Sequence, residues 1–324
     1  MMTNILIAIA AGCASALMYA SIMSGVLMSV LLVYFSSLPL MVAALGWGST
    51  SALLGGMSAG IVLALGVSFT YGLSYVLTVA APAFWLGHIS LLAKPVAGPA
   101  PANGQDAGLE WYPIGRILLW AAVLGAAIMI FAWLSSPGSS EDITTRLREQ
   151  ALQSLEGLSR AGLQIEDKQR MATVMAHALP LAAVSATVVM YLLNLWLAGK
   201  VANTSRLLRR PWPDIHSIQL PQTAIVALAA ALLLSFVGGL VALIAQIVSA
   251  ALVTAYALVG FAVLHALTRH ASTSVRLWWR LSAYAAILLF IWPLALMPIL
   301  GLLDASFGLR RRFAKASGPT TPST

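Results

Sequence analysis

The sequence predicts an all-α polytopic bundle of transmembrane helices, and the first evidence is its scarcity of charge. Of the 324 residues, 60% are hydrophobic and only 9% are charged, whereas soluble domains carry about 25% charged residues. Five long stretches contain no Asp, Glu, Lys or Arg: 1–93, 117–140, 171–199, 215–268 and 281–303. Since a bilayer span needs about 20 apolar residues, these stretches indicate eight or nine spans.

The uncharged N-terminal stretch forms the first predicted domain, 1–93. Glycine, serine and proline divide it into spans at 4–20, 22–47, 49–68 and 70–92. The second of these spans is interrupted around Ser36 and Pro39. Small residues recur every fourth position along the third span, at Gly48, Ala52, Gly56 and Gly60. Such a face allows close helix packing in lipid and is equally suited to docking another membrane subunit.

A Pro- and Gly-rich segment, 94–116, is predicted to be a flexible loop. The second predicted domain, 117–309, follows it, and a basic tail, 310–324, is expected to be disordered. Spans in the second domain are expected at 117–135, at 172–198, twice within 221–268 with a turn at Gly238 and Gly239, and at 281–303.

One soluble-looking island, 139–170, interrupts the second domain, and it contains an extramembrane helix within 139–162. Ile143, Leu147, Ala151 and Leu155 recur every four residues there, which predicts an amphipathic extramembrane helix around 141–161. Over 139–170 six acidic residues nearly balance five basic ones, so a cationic lipid-binding face is not favoured. We expect this helix to pack on the extramembrane ends of the spans.

The loops 94–116, 200–214 and 269–280 lie on one side of the predicted membrane. Each side receives nine basic residues, so the positive-inside rule does not orient the chain by itself. Because the island is nearly neutral, we place the basic loops in the cytoplasm. The net charge of +8 is therefore attributed to topology, and no nucleic-acid partner is predicted.

Polar side chains inside apolar spans are the default functional candidates in a membrane protein. The candidate ligand-binding residues are Tyr71, Tyr75, His88, Asn194 and His265. Each also has a structural interpretation. The histidines lie near the ends of their spans, where they reach the interface, and Asn194 can hydrogen-bond a neighbouring helix. A closed pocket lined by Tyr71, Tyr75 or His88 would favour ligand binding, and solid packing would favour an interaction platform.

No motif for catalysis, metal binding or a cofactor is recognisable in the sequence. It lacks an HExxH motif, a phosphate-binding glycine loop and a pair of close carboxylates in the apolar stretches. Cys13 is the single cysteine, which excludes an intramolecular disulfide and a cysteine metal cluster. We therefore predict that the protein is not an enzyme and binds no metal and no cofactor.

The order of several short motifs in the C-terminal half resembles the YybS-like family of bacterial inner-membrane proteins. The motifs are Ala161-Gly162-Leu163 with Glu166-Asp167, Leu179-Pro180 with Asn194, Leu220-Pro221, Gly260-Phe261-Ala262 with His265, and Gly301-Leu302-Leu303-Asp304 before Arg310. This resemblance implies a multi-pass protein of the bacterial inner membrane and implies no activity, because the family is uncharacterised.

The N-terminal half is similar to the substrate-binding membrane subunits of energy-coupling-factor transporters. A short span after Leu38-Pro39-Leu40 leads to the Gly-opened span that begins at Leu45-Gly46-Trp47-Gly48. The resemblance implies that Gly48 to Gly60 contact a transmembrane partner. Residues 21–35, however, form a continuous apolar run where those subunits have a polar gating loop.

Two hypotheses for function follow from these features. The first is a transporter-like membrane subunit that binds a small neutral ligand or a partner membrane protein. The alternative is a non-catalytic interaction or assembly platform in the bilayer. Homo-oligomers are compatible with both hypotheses.

Overall fold

The computed structural model describes most of the chain. Its described residues are 2–95, 109–135, 140–156, 165–214, 218–268, 277–279, 281–282, 284–285, 292–310 and 312. Within these residues the secondary structure is helical apart from turns and two short strands. The prediction of an all-α polytopic bundle is confirmed.

The N-terminal part of the described chain contains six α-helices. Helices α1 to α6 comprise Met2–Ala20, Leu27–Phe35, Leu38–Trp47, Ser49–Gly66, Phe69–Tyr75 and Ala81–Ser90. A 3₁₀ turn, Ser21–Ser24, follows α1, and a π-helical turn, Val76–Ala80, joins α5 to α6. The two breaks fall inside apolar segments, so α2 with α3 and α5 with α6 each act as one interrupted span.

The remaining helices, α7 to α12, comprise Ile114–Leu134, Ser140–Glu156, Ile165–Thr204, Thr223–Leu234, Gly239–Leu267 and Leu296–Phe307. A 3₁₀ turn, Trp292–Ala295, precedes α12. The predicted turn between α10 and α11 is present, and both Gly238 and Gly239 have positive φ there. Part of the span predicted at 281–303 lies outside the described residues.

Seven segments of the described chain are long and apolar enough to cross a bilayer. They correspond to α1, α2–α3, α4, α5–α6, α7, α9 and α11. Helices α10 and α12 are apolar but have only 12 residues each, or about 18 Å of helix, which is less than a hydrocarbon core of about 30 Å. Within the described residues, the eight or nine predicted spans therefore correspond to seven long spans and two shorter apolar helices.

The segment predicted as a loop, 94–116, is ordered at both ends. Strand β1 (Ala93–Pro95) pairs antiparallel with β2 (Leu109–Trp111). The exposed Lys94 and Glu110 form an ion pair across this ribbon at 2.9 Å. Residues 96–108 lie outside the described part of the chain, and α7 begins at Ile114, three residues earlier than the predicted span.

Helix α9 is long enough to cross the membrane and to extend beyond it. Its 40 residues correspond to about 60 Å, roughly twice the hydrocarbon thickness. The amphipathic helix α8 packs against the start of α9, where Ala151 and Leu155 contact Ala172. The structure ends α8 at Glu156, and residues 157–164 are outside its description.

Two hydrophobic cores share helices α7 and α9. The first core combines residues from α1, α3, α4, α5 and α6 with Ile117 and Ala121 of α7 and Tyr191 and Ala198 of α9. The second combines α10 and α11 with Leu118 of α7 and Val188 of α9. The N-terminal helices thus complete their core with side chains from the C-terminal part of the chain.

Backbones approach closely where small residues cross. A Cβ atom placed on Gly12 of α1 would collide with the Gly55 carbonyl group of α4, and one placed on Gly55 would collide with the Ala8 carbonyl oxygen. Because dispersion contacts hold helices together in lipid, any side chain here would separate two spans along their length.

Substitution of Gly55 by Ala is expected to lower the free energy of unfolding by about 1–3 kcal/mol, since overpacking has that cost in a rigid interior. The measurement is thermal unfolding of the full chain in mild detergent. Gly66→Ala is the matched control, because Gly66 ends the same helix with no neighbouring atom within 4 Å of its position for a Cβ. Equal midpoints for the two variants would contradict the crossing.

A buried ion pair fixes the end of α12. Arg310 donates from Nε and Nη2 to Asp304 Oδ2 at 2.9 and 2.7 Å, and from its backbone nitrogen to Asp304 Oδ1 at 2.9 Å. Its Nη2 also donates to the Ile218 carbonyl oxygen at 2.6 Å. The first residue of the predicted tail is therefore held against the segment that precedes α10.

Asp304→Asn is expected to destabilise the protein, because removal of one partner leaves a buried guanidinium without its counter-charge, a loss of about 3–5 kcal/mol. Glu110→Gln breaks the exposed pair with Lys94 and should cost no more than about 1 kcal/mol. Thermal unfolding of both variants in detergent tests the difference. A loss from Asp304→Asn as small as that from Glu110→Gln would refute this role.

Candidate functional site

The break between α2 and α3 is the polar centre of the N-terminal part. Pro39 has no N–H to donate to the preceding turn, so the helix is interrupted at Ser36 and Ser37, both of which are buried. Ser15 of α1 donates to the Ser36 carbonyl oxygen at 2.6 Å. Its Oγ is also 2.7 Å from the Tyr75 hydroxyl. Since Ser15 has one hydroxyl proton, Tyr75 is the donor to Ser15.

Two side chains of α9 complete this polar centre. Asn194 is fully buried, and its Nδ2 donates to the Tyr34 carbonyl oxygen and to Ser37 Oγ, both at 2.7 Å. Tyr191, one helical turn earlier, donates from its hydroxyl to the carbonyl oxygen of Thr78 at 2.6 Å. Thr78 lies in the π-helical turn. One face of α9 therefore hydrogen-bonds both irregular segments of the N-terminal part.

The structure brings three of the five predicted ligand-binding residues into one region. Tyr71 and Tyr75 both contact the ring of Tyr19, with centroid separations of 5.1 and 5.3 Å, and the Tyr71 hydroxyl donates to the Tyr19 carbonyl oxygen at 3.1 Å. Asn194 joins them through the Ser36–Ser37 break. The hydrogen bonds of these side chains go to helices of the same chain.

The two predicted histidines lie elsewhere. His88 Nδ1 is 3.2 Å from Ser49 Oγ, and its 13 residues of separation from Tyr75 correspond to about 20 Å of helix. His265 Nδ1 is 2.8 Å from the Phe261 carbonyl oxygen, and its Nε2 is 3.4 Å from the Tyr284 hydroxyl. Of the five predicted residues, His265 alone lines the cavity that lies between the two hydrophobic cores.

The small-residue face of α4 packs inside the chain. A Cβ on Gly56 would meet Ala80, and one on Gly60 would meet Val76, both of the π-helical turn. Ala52 is fully buried, and Gly48 is the residue that separates α3 from α4. In this chain, therefore, Gly56 and Gly60 serve the packing of α4 on the next span.

A cavity of about 520 Å³ lies between the two hydrophobic cores. Its walls come from the ends of α3 and α6, the start of α7, the loop after α9, and the C-terminal parts of α9 and α11. Three of its 18 lining residues are Ser, Arg or His, namely Ser90, Arg210 and His265, and the others are apolar or aromatic. Tyr71, Tyr75 and His88 are not among them.

Arg210 is the charged residue of this cavity. It is half-buried, and its Nη1 donates to the Ser90 carbonyl oxygen at 3.3 Å. Burial lowers the pKa of the guanidinium, yet arginine remains protonated in proteins. A positive charge therefore persists at the edge of an otherwise apolar space.

Lys200 is close to the same cavity and is held by two of its aromatic residues. The Lys200 Nζ lies 4.5 Å from the ring centroid of Trp212 and 5.8 Å from that of Trp196, distances typical of cation–π interactions. These two tryptophans and Arg210 were missed by sequence reasoning. The spacing of Trp196 and Lys200, one helical turn apart, was the available signal, but Trp212 reaches them only through the fold of the loop.

The described residues contain no group of three or more His, Cys, Asp or Glu side chains able to hold a metal ion.

Asn194→Ala is expected to destabilise the chain by about 1–2 kcal/mol, the upper range for hydrogen bonds between helices in a membrane, because two interhelical bonds are lost. Asn203→Ala is the matched control, since Asn203 is exposed near the end of the same helix. Thermal unfolding in detergent should separate the variants. If both unfold at the wild-type temperature, Asn194 does not secure the break between α2 and α3.

A comparison with known protein families gives a match. No curated protein and no solved structure matches the chain. The family model described as "Predicted membrane protein (DUF2232)" matches residues 12–305, which include both cores and the cavity between them. The finer YybS-like and transporter-subunit resemblances stay predictions. The chain belongs to the DUF2232 family of predicted membrane proteins.

Proposed function

We propose that this multi-pass membrane protein is a non-catalytic binding protein of the bacterial inner membrane, and that its ligand occupies the cavity between the two cores. The observation that supports this proposal is the cavity itself. Its volume of about 520 Å³ falls within the range of about 300–1,000 Å³ that small-molecule pockets occupy. Mostly apolar walls with a few polar groups are also typical of such pockets.

The ligand body is proposed to be apolar. Leu118, Leu192 and Leu258 line the cavity, and they favour a ligand that gains free energy by leaving water. A compact polar solute would leave its hydrogen-bonding groups unpaired along these walls, which is costly. The ligand is therefore small and largely uncharged over most of its length.

We propose that a transporter-like function resides in this cavity and not in the N-terminal spans. Tyr75 and Asn194 are fully buried; Asn194 hydrogen-bonds the break between α2 and α3 directly, and Tyr75 bonds Ser15, which donates to the same break, so the packing there supports a structural role. In this proposal the chain captures the ligand, and a partner membrane subunit or a second copy carries out any movement across the bilayer.

The second candidate function is an interaction platform in the membrane. It is supported by the close packing of α1 on α4 at Gly12 and Gly55, which gives the N-terminal helices a rigid outer surface. The two functions differ in one property: a platform needs no occupant in the cavity.

Native mass spectrometry of the full chain, purified in mild detergent, tests the proposed function. Leu258→Trp introduces a larger side chain into the cavity wall and should remove most of the copurifying small molecule by competing for its space. Leu240→Trp is the control, because Leu240 is an exposed residue near the other end of the same helix. We expect the control to retain the ligand at the wild-type level.

Repeated recovery of no small molecule from the wild-type chain would refute the binding function, as would equal recovery from Leu258→Trp. Copurification of a stoichiometric membrane protein with an empty cavity would instead support the platform.

A further inference from the structure

The cavity lies at one end of the bundle. The residues that line it come from the C-terminal parts of α3, α6, α9 and α11 and from the start of α7. These helix ends all lie on the same side of the bundle as the strand ribbon and the loop after α9. Along α9 the wall runs from Leu192 to Gly199, or about 10 Å at the rise of an α-helix.

The polar side chains of the wall are confined to one end of this depth. Leu118, Leu192 and Leu258 lie further from the helix ends and are apolar, whereas Ser90, Arg210 and His265 lie close to those ends, beside apolar residues such as Leu45 and Ile114. A ligand that fits such a space has an alkyl part that points into the bundle and a polar group at the loop end. That description is of an amphiphile in the orientation of a membrane lipid.

The positive charge of Arg210 at the loop end of the cavity determines which charge the ligand headgroup should carry. None of the described residues that line the cavity is an Asp or Glu, while Arg210 is among them. The acidic residue Asp214 lines a separate, smaller recess of about 330 Å³ that shares Arg210 with the cavity. A guanidinium at the rim of an apolar space favours a carboxylate or phosphate, with which it forms charge-assisted hydrogen bonds.

A cationic headgroup is disfavoured by the aromatic residues. The aromatic residues of the cavity wall are Trp196, Trp212 and Phe261. The Lys200 ammonium already lies against both tryptophan rings, and the Phe261 ring is stacked on that of Tyr284. Lys200 therefore adds a second positive charge near the rim, and a ligand ammonium would have to displace it.

We infer that the cavity binds an anionic amphiphile, with its alkyl chain between α9 and α11 and its carboxylate or phosphate at Arg210. This inference rests on the proposed function and specifies the ligand class. The same headgroup chemistry occurs in a free fatty acid, in a lysophospholipid and in an anionic diacyl phospholipid.

Direct binding to the delipidated full chain in a neutral detergent tests this inference. The probes are palmitate, 1-palmitoyl lysophosphatidic acid, phosphatidylglycerol and the uncharged hexadecanol, at a pH where the carboxylate is ionised. Equilibrium binding of radiolabelled probes gives the dissociation constants. We expect at least one anionic probe to bind about tenfold more tightly than hexadecanol, the ratio that about 1.4 kcal/mol produces.

Arg210→Gln should remove that tenfold preference, so that the anionic probes bind the variant no more tightly than hexadecanol does. Arg209→Gln is the matched control, because it removes an equal charge from the neighbouring, exposed position. Arg210→Lys keeps the charge and should retain part of the preference. Thermal unfolding of each variant verifies that it is folded, and the comparison of probes on the wild-type chain holds whether or not Arg210→Gln folds.

The probes also identify the source of the ligand. Preference for palmitate indicates a free fatty acid, preference for the lysophospholipid indicates a single-chain phosphate, and preference for phosphatidylglycerol indicates a bilayer lipid. Equal binding of hexadecanol and all anionic probes would overturn the inference and leave the proposed function intact. An equal loss in Arg209→Gln and Arg210→Gln would overturn it as well, because it indicates long-range attraction only. Binding of no probe, together with no copurifying molecule, would refute the proposed function itself.

Discussion

The need to satisfy backbone carbonyl groups inside the hydrocarbon region organises the N-terminal part of this protein. Water is absent there, so a span can break only where other groups replace the missing helical hydrogen bonds. The α2–α3 break and the π-helical turn before α6 both meet this requirement through α9, which supplies Asn194 and Tyr191. These two residues are three positions apart, so they lie on one helix face. The N-terminal helices therefore depend on two residues that lie 113 and 160 positions later in the sequence than the carbonyl groups they bond.

The buried polar residues Ser15, Tyr75 and Asn194 show the pattern expected of a ligand site, and their hydrogen bonds converge on the break between α2 and α3. Ser15 donates to the Ser36 carbonyl oxygen and is 2.7 Å from the Tyr75 hydroxyl. Asn194 donates to the Tyr34 carbonyl oxygen and to Ser37 Oγ. The polar side chains that line the cavity, Ser90, Arg210 and His265, lie at or beyond the ends of helices, where the two cores meet. Arg210 can occupy that position because the rim is close enough to water for a guanidinium to remain charged.

Features that depend on local chemistry could be predicted from the sequence, whereas features that depend on tertiary contacts could not. The absence of charged residues predicted the apolar segments, and Pro39 predicted the break between α2 and α3. Gly238 and Gly239 predicted the turn between α10 and α11. A small-residue face was visible on the span that became α4, yet nothing in its spacing indicates that Gly55 of this helix meets Gly12 of α1. Likewise, Arg210 appears in the sequence as one of several loop arginines, and only the folded loop places it at the cavity.

Helices α7 and α9 contribute to both hydrophobic cores and also bound the cavity, so an occupant would contact both halves of the molecule at once. Free energy gained by burying an alkyl chain there adds to the stability of the bound form, because a ligand that binds only the folded state stabilises it. Arg310 stabilises the same region, because it links the end of α12 to the Ile218 carbonyl oxygen. Ile218 in turn lines the cavity. Binding of a ligand in the cavity between the two cores is therefore physically coupled to the packing of the two halves of the molecule.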